Sequence, residues 1–132
     1  MKHHHEDHEA LNNKHYRAAD DLYRLGRYSD ALKEFELALG ALPDDCDTLW
    51  AIADCYSELG KPYLAERYFT SALKSCLPGK RTDLLFNLGN SLFDQMKFNQ
   101  AIDVYRTIPK ESSIYKKAQK NLRLAKRKIE RY

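Results

Sequence analysis

The same residue types return along this chain at intervals of 34 and then 36 residues, counted from Asn12, Cys46 and Thr82. Small residues recur at Ala19, Ala53 and Gly89, each after an apolar one (Ala18, Ile52, Leu88), and bulky apolar residues recur at Leu22, Tyr56 and Leu92. Further on, Ala31, Ala65 and Ala101 align, then Phe35, Phe69 and Tyr105, then Ala38, Ala72 and Ile108. Gly26 and Gly60 share a column with Met96, and Pro43, Pro78 and Pro109 close the three units. A period of this length marks a supersecondary unit too small to cover its own apolar face, so the units must stack on one another.

Within a unit the apolar residues fall three and four apart. Ala18, Ala19, Leu22 and Leu25 form one stripe, and Tyr28, Ala31, Leu32, Phe35, Ala38 and Leu39 form another, which predicts two amphipathic helices. Gly26 and Gly60 sit between them, where a tight turn needs a positive φ that glycine adopts without strain. Alanines such as Ala31 and Ala65 let helices approach closely, and Phe35 and Phe69 fill the holes beside them. A further stripe, Tyr115, Ala118, Leu122, Ala125 and Ile129, predicts one more helix, which Ser112 or Ser113 would cap. It would cover the last apolar face of the stack.

The segments Ala18-Ala19, Leu22, Gly26-Arg27-Tyr28, Ala31, Phe35, Ala38 and Pro43, with their counterparts, closely resemble the tetratricopeptide repeat (TPR) family over about residues 12–110. The resemblance implies an all-α, right-handed solenoid of three helix pairs with a seventh, C-terminal capping helix. The expected divisions are a flexible His-rich start (1–11), three repeats (12–45, 46–79 and 82–110) and a basic cap (112–132). Two departures stand out. Lys80 and Arg81 are inserted before the third unit, and Pro109 arrives four residues sooner than the first unit's pattern would place it.

In this family the first helix of each pair lines a concave face where peptides dock. Carried over by the register, that face holds Asn13, Tyr16, Asp20, Tyr23 and Arg24, then Asp47, Trp50, Asp54, Ser57 and Glu58, then Asp83, Phe86, Asn90, Phe93 and Asp94, with Asn87 beside them. Six of these are acidic and one is basic, so the face sums to −5, and five are aromatic. Such a surface implies a protein or peptide partner that is basic or amphipathic, with Trp50 as an anchor and Asn87 and Asn90 offering amide donors and acceptors. One branch of the family grips C-terminal carboxylates with Lys, Arg and Asn. Here the corresponding places hold Tyr16, Asp20, Ala51, Asp83 and Asn87, so that use is not expected. A looser resemblance is to the three-repeat chaperones of bacterial secretion systems. A structural subunit of a larger assembly is a further alternative.

Charge is unevenly spread. Residues 1–109 carry 13 Lys and Arg against 17 Asp and Glu, whereas residues 110–132 carry 9 against 2. The basic last helix therefore offers an alternative function, binding nucleic acid or another anionic surface through Lys120, Arg123 and Arg127. It is also a candidate to enter the acidic face of a second molecule, so the expected state is a monomer or weak dimer. Near the N-terminus, His3, His4 and His8 are metal-ligand candidates of last resort in a polar terminal segment.

Three cysteines, Cys46, Cys55 and Cys76, show no paired spacing, and the expectation is buried or half-buried thiols in a reducing compartment. A polar start without an apolar signal segment leads to the same cytoplasmic expectation. No apolar run is long enough to span a bilayer. Neither a phosphate-binding glycine loop, a nucleophile elbow nor a zinc-protease helix motif occurs, so neither enzymatic activity nor a cofactor is expected.

Overall fold

The computed structural model describes the backbone of residues 2–131 and the side chains of residues 8–131. The helices, in chain order, are α1 (Lys2–Arg24), α2 (Tyr28–Ala41), α3 (Cys46–Glu58), α4 (Pro62–Ser75), α5 (Arg81–Asp94), α6 (Phe98–Arg106) and α7 (Tyr115–Glu130). A short 3-10 turn, Pro78–Lys80, precedes α5, and no strand occurs among the described residues. Each helix packs on the next, giving three antiparallel pairs in a row with α7 closing the far end. The first helix extends ahead of the repeat register, beginning at Lys2 rather than near residue 12.

The turns within the pairs share one hydrogen-bond pattern. In the first, the Gly26 amide donates to the Tyr23 carbonyl and the Arg27 amide to the Leu22 carbonyl, both at 2.9 Å. The same two bonds recur at Gly60 and Lys61, and again at Met96 and Lys97. This is a Schellman cap, which needs a left-handed residue just beyond the helix. Gly26 (φ 76°) and Gly60 (φ 72°) supply it, and so does Met96 at φ 64°, where a side chain makes the conformation costly.

The core runs along the stack in three linked clusters. Ala19, Ala31, Phe35, Ile52 and Cys55 join the first pair to the second. Leu49, Ala53, Ala65, Phe69, Ala72 and Leu84 join the second to the third. Leu92, Ala101, Ile102, Tyr105, Ile108, Ala118, Leu122 and Ala125 seat the cap. Of the stripe read from the sequence of α7, Ala118, Leu122 and Ala125 are buried and Tyr115 partly so, whereas Ile129 near the helix end stays exposed. Its N-cap is Ile114, and Ser112 contributes by accepting the Ile114 amide through its hydroxyl, at 3.2 Å.

The expectation for the cysteines is corrected. Cys46, the first residue of α3, and Cys76, the residue that follows α4, are joined as a disulfide with their Cα atoms 5.0 Å apart. Thirty residues separate them in sequence. An antiparallel hairpin returns its chain to where it started, which no spacing rule for cysteine motifs records. Only Cys55 is a free thiol, and it is wholly buried. The reducing compartment inferred from unpaired thiols loses that support.

Candidate functional site

The first helices of the pairs, α1, α3 and α5, bring most of the expected residues to two adjoining hollows. Tyr16, Asp47, Trp50, Ala51 and Asp54 line one of about 170 Å³. The other, about 200 Å³, is lined by Tyr23, Asp54, Ser57, Glu58, Asn87, Asn90 and Asp94, with Phe69 and Ser91 at its floor. Asp54 belongs to both. A third hollow, of about 310 Å³, continues past Asn90, Phe93 and Asp94 to Tyr105 and to Asn121 and Leu124 of α7. The last two were not legible from the repeat, because α7 lies outside the register that marks concave positions.

Asp54 is half-buried, and no cation pairs with it among the described residues. Burial, reinforced by the neighbouring Glu58 carboxylate, pushes its pKa up to about 7. Burial also raises Asp94. The phenols register the same field. Tyr16 is pushed up to about 12 by burial and then by Asp47 and Asp20, and Tyr23 is raised by burial and then by Asp54 and Glu58. A group that resists ionising because nothing cationic faces it stands to gain from a cation placed there.

Other expected members are committed elsewhere. Asp20 pairs with Arg24 one turn on at 3.0 Å, and Asp47 pairs with Lys80 at 2.5 Å. Lys80 comes from the insertion before the third unit, so that departure returns a cation to the groove's edge. Asp20, Asp83 and Phe86 line neither of the two hollows that share Asp54. Four of the five aromatics lean on a ring of the helix behind them. Tyr16 meets Phe35 at 5.3 Å, Tyr23 meets Tyr28 at 5.1 Å, Phe86 meets Tyr105 at 6.2 Å and Phe93 meets Phe98 at 5.2 Å. Trp50 makes no such ring pair among the described residues and is half-buried against the core that holds Leu49 and Phe69.

Asn90 is more restricted than a free carboxamide. Its Oδ1 accepts from the Tyr105 hydroxyl at 2.6 Å and from the Asn121 amide at 3.0 Å, which uses both lone pairs. Only its N–H donors remain for a ligand. Asn87 makes no hydrogen bond through its side chain among the described residues and keeps both functions. The metal-ligand candidates His3 and His4 lie outside the described side chains. Among those described, which include His8, no group of three or more His, Cys, Asp or Glu gathers to hold an ion.

Two features lie apart from the groove. A roomier cleft of about 490 Å³ separates α6 from the end of α7, and its charges cancel, Asp103 and Glu130 against Arg106 and Lys126. The outer face of α7 exposes Lys116, Lys117, Lys120, Arg123, Lys126 and Arg127, and no ion pair involves them among the described residues. No helix of the described residues is long and apolar enough to cross a membrane.

Comparison with known proteins gives the fold directly. The family model of the tetratricopeptide repeat matches residues 47–76, the middle pair. Among solved structures, the first TPR of Spaghetti (RPAP3) bound to the HSP90 peptide SRMEEVD is 17% identical, with 92% of this chain and 97% of that one covered at a TM-score of 0.75. The TPR domain of Arabidopsis OM64 is 16% identical, covering 88% and 97% at a TM-score of 0.77. The Yersinia enterocolitica type III secretion chaperone SycD, in complex with a peptide of the translocator YopD, is 18% identical, covering 88% and 92% at 0.76. A search of curated proteins finds no match.

Proposed function

This chain carries a tetratricopeptide repeat and has the fold of TPR domains, and on that premise we propose that it is a protein-binding adaptor whose groove takes a basic or amphipathic peptide segment. The observation that carries the reading is Asp54, a half-buried carboxylate with no paired cation among the described residues, shared by two hollows, one of which Glu58 and Asp94 also line. A Lys or Arg side chain of a partner would pair there, while Trp50 and Tyr16 would pack on its aliphatic stem. Asn87 would hold the partner's backbone through its donor and acceptor.

Two of the similar structures hold peptides, which supports a peptide in this groove. The kind of peptide differs. The HSP90 peptide ends in Glu-Glu-Val-Asp. A tail of that sort would bring its carboxylates to the Asp54, Glu58 and Asp94 that line the hollows, so acidic tails are the wrong ligand here.

The test uses Trp50 fluorescence to follow titration with an amphipathic Lys/Arg-rich peptide and with its Glu/Asp-rich counterpart. The basic peptide is expected to bind at least ten-fold tighter. Reversing Asp54 and Glu58 to lysine is expected to abolish the difference while the circular dichroism stays helical. Equal affinities, or a double reversal without effect, would remove the groove from consideration.

The exposed cations of α7, which make no ion pair among the described residues, favour a second reading, contact with nucleic acid or another anionic surface. A gel shift with Lys120, Arg123 and Arg127 neutralised separates the two. A shift that disappears in that variant supports the second reading; no shift by the unaltered chain sinks it.

A further inference from the structure

We propose that Cys46 and Cys76 are a reversible thiol–disulfide pair that locks the middle helix pair shut and so sets the rigidity of the groove wall formed by α3. The bond stands at the open end of the hairpin, opposite the Gly60 turn, and closes a loop containing the whole pair. It ties the first turn of α3 to the residue that ends α4.

The register shows that this position is where a tie belongs. The residue matching Cys46 in the first pair is Asn12, which is 4% exposed. Its amide donates to the Ala38 carbonyl in the last turn of α2 at 2.9 Å and to the Thr48 hydroxyl at 3.2 Å. The first pair is therefore held by hydrogen bonds that no reductant can break. In the middle pair the same junction is a bond between two sulfurs, and it alone among the three carries redox chemistry.

Position favours exchange over permanence. Both cysteines are half-buried at the end of the hairpin, within reach of a small thiol. The cluster that holds the pair together, Leu49, Ala53, Ala65, Phe69, Ala72 and Leu84, has Cys76 packed against it but counts neither cysteine among its buried members, so its apolar packing does not depend on the bond. Cys55 does not compete. It is fully buried and its thiol is pushed up to about 12, first by burial, so it stays protonated and walled off.

The step balances with glutathione disulfide as oxidant. One cysteine thiolate attacks a sulfur of glutathione disulfide and releases one glutathione. The second thiolate then attacks the mixed disulfide and releases the other. Two protein thiols become one disulfide, and two electrons and two protons end on two glutathione molecules. Excess glutathione reverses it.

The consequence falls on α3. Cys46 adjoins Asp47, which Lys80 holds from beyond α4, and Asp45 caps the helix through the Thr48 amide at 3.1 Å. Without the disulfide, the first turn of α3 keeps these polar ties, the Asn12 bond to Thr48 and the burial of Leu49 but loses its covalent link to the end of α4, and Asp47 and Trp50 stand on a looser wall. This inference concerns the wall itself and does not depend on which ligand the groove takes.

The full chain, equilibrated at set ratios of reduced to oxidised glutathione, is alkylated without denaturant and weighed by intact mass spectrometry. The expectation is two alkylations under reducing ratios and none under oxidising ones, with Cys55 silent in both. The dithiol form is expected to melt roughly 5–15 °C lower. Its residues 46–51 are expected to exchange amide hydrogens at least ten-fold faster. In the Cys46→Ser and Cys76→Ser variants both differences should vanish while the helical spectrum remains. Two alkylations at every ratio would overturn the pair, and none at any ratio would make the bond permanent rather than reversible. Equal exchange of residues 46–51 in the two forms would overturn the lock on the wall.

Discussion

The second and third helix pairs share one register, yet they are held shut in different places. In the second, α4 runs 14 residues and reaches back to the start of α3, where the disulfide closes the open end. In the third, Pro109 cuts the unit short and α6 runs only 9 residues, so nothing on it reaches the matching Thr82. The tie has moved to the middle of the pair. Tyr105 stands where the second pair has Phe69, and its hydroxyl donates to Asn90 on α5, which also accepts from Asn121 on α7. A single carboxamide oxygen thus joins three helices. The price of that ring position is paid opposite it, at Gly89, where a Cβ would lie 2.5 Å from the Tyr105 ring. The second pair keeps Ala53 there against the smaller Phe69. One scaffold accepts either device, because what the stack requires is that each pair be fastened, not where.

The comparison breaks first at Gly89. Gly89→Ala would ordinarily favour a helix, but the Tyr105 ring is fully buried and pinned through its hydroxyl, so it cannot step aside. A net loss of about 1–3 kcal/mol is expected from urea denaturation, the cost of overpacking exceeding the helix gain. The companion change Ala53→Gly has no such ring to relieve and should lose about 1 kcal/mol.

The turns give a smaller and opposite pair of effects. Met96 and Gly60 occupy the same left-handed place in the same cap. Met96→Gly should raise stability by about 1 kcal/mol, and Gly60→Ala should lower it by a similar amount. Thermal melts of the two variants check both signs at once, and a loss on Met96→Gly would mean that its side chain, 61% exposed, has a packing role after all.

A pH-dependent effect concerns the groove, where Asp54 of the second pair matches Asn90 of the third. With its folded pKa raised to about 7, Asp54 holds a proton in the folded chain that an unfolded chain has already lost. Its contribution to stability is therefore greatest below the ordinary carboxylate range, falls as pH rises towards 7, and is lowest above it. Asp54→Asn, which gives the second pair the third pair's residue, should flatten that decline in urea midpoints measured from pH 4 to pH 8. A decline of unchanged depth would assign it to other groups.

Much of the fold was legible in the sequence, and unevenly so. The columns at Ala19, Ala31, Phe35 and Ala38 are the buried residues of each pair because helix spacing translates directly into a buried face. The glycine column marked the turns, and even Met96 keeps the conformation that the column requires. The concave list was less complete. It placed Trp50, Asp54 and Glu58 on a shared surface, but it did not foresee that Arg24 and Lys80 would occupy Asp20 and Asp47, or that Asn90 would spend its acceptor on Tyr105 and Asn121. Arg24 comes from the next turn of the same helix, Lys80 from the insertion, Tyr105 from the second helix of the third pair and Asn121 from the cap, and a register of residue types does not say which polar groups among them meet.

By itself, then, the sequence determined the helix pairs, their order, the turns and most of the faces they bury, because all of these follow from spacing of a few residues along one chain. Ala18 and Leu25 of the first stripe nonetheless stay exposed. The tertiary structure alone decided which polar groups meet. Cys46 found Cys76 across 30 residues, Asn12 found Ala38 and Thr48, and Asp54 was left with no cation paired to it among the described residues. Apolar burial needs only the right face. A disulfide, a hydrogen bond or an ion pair needs two particular atoms within a few ångströms, and that distance is set by how whole helices come to lie against one another.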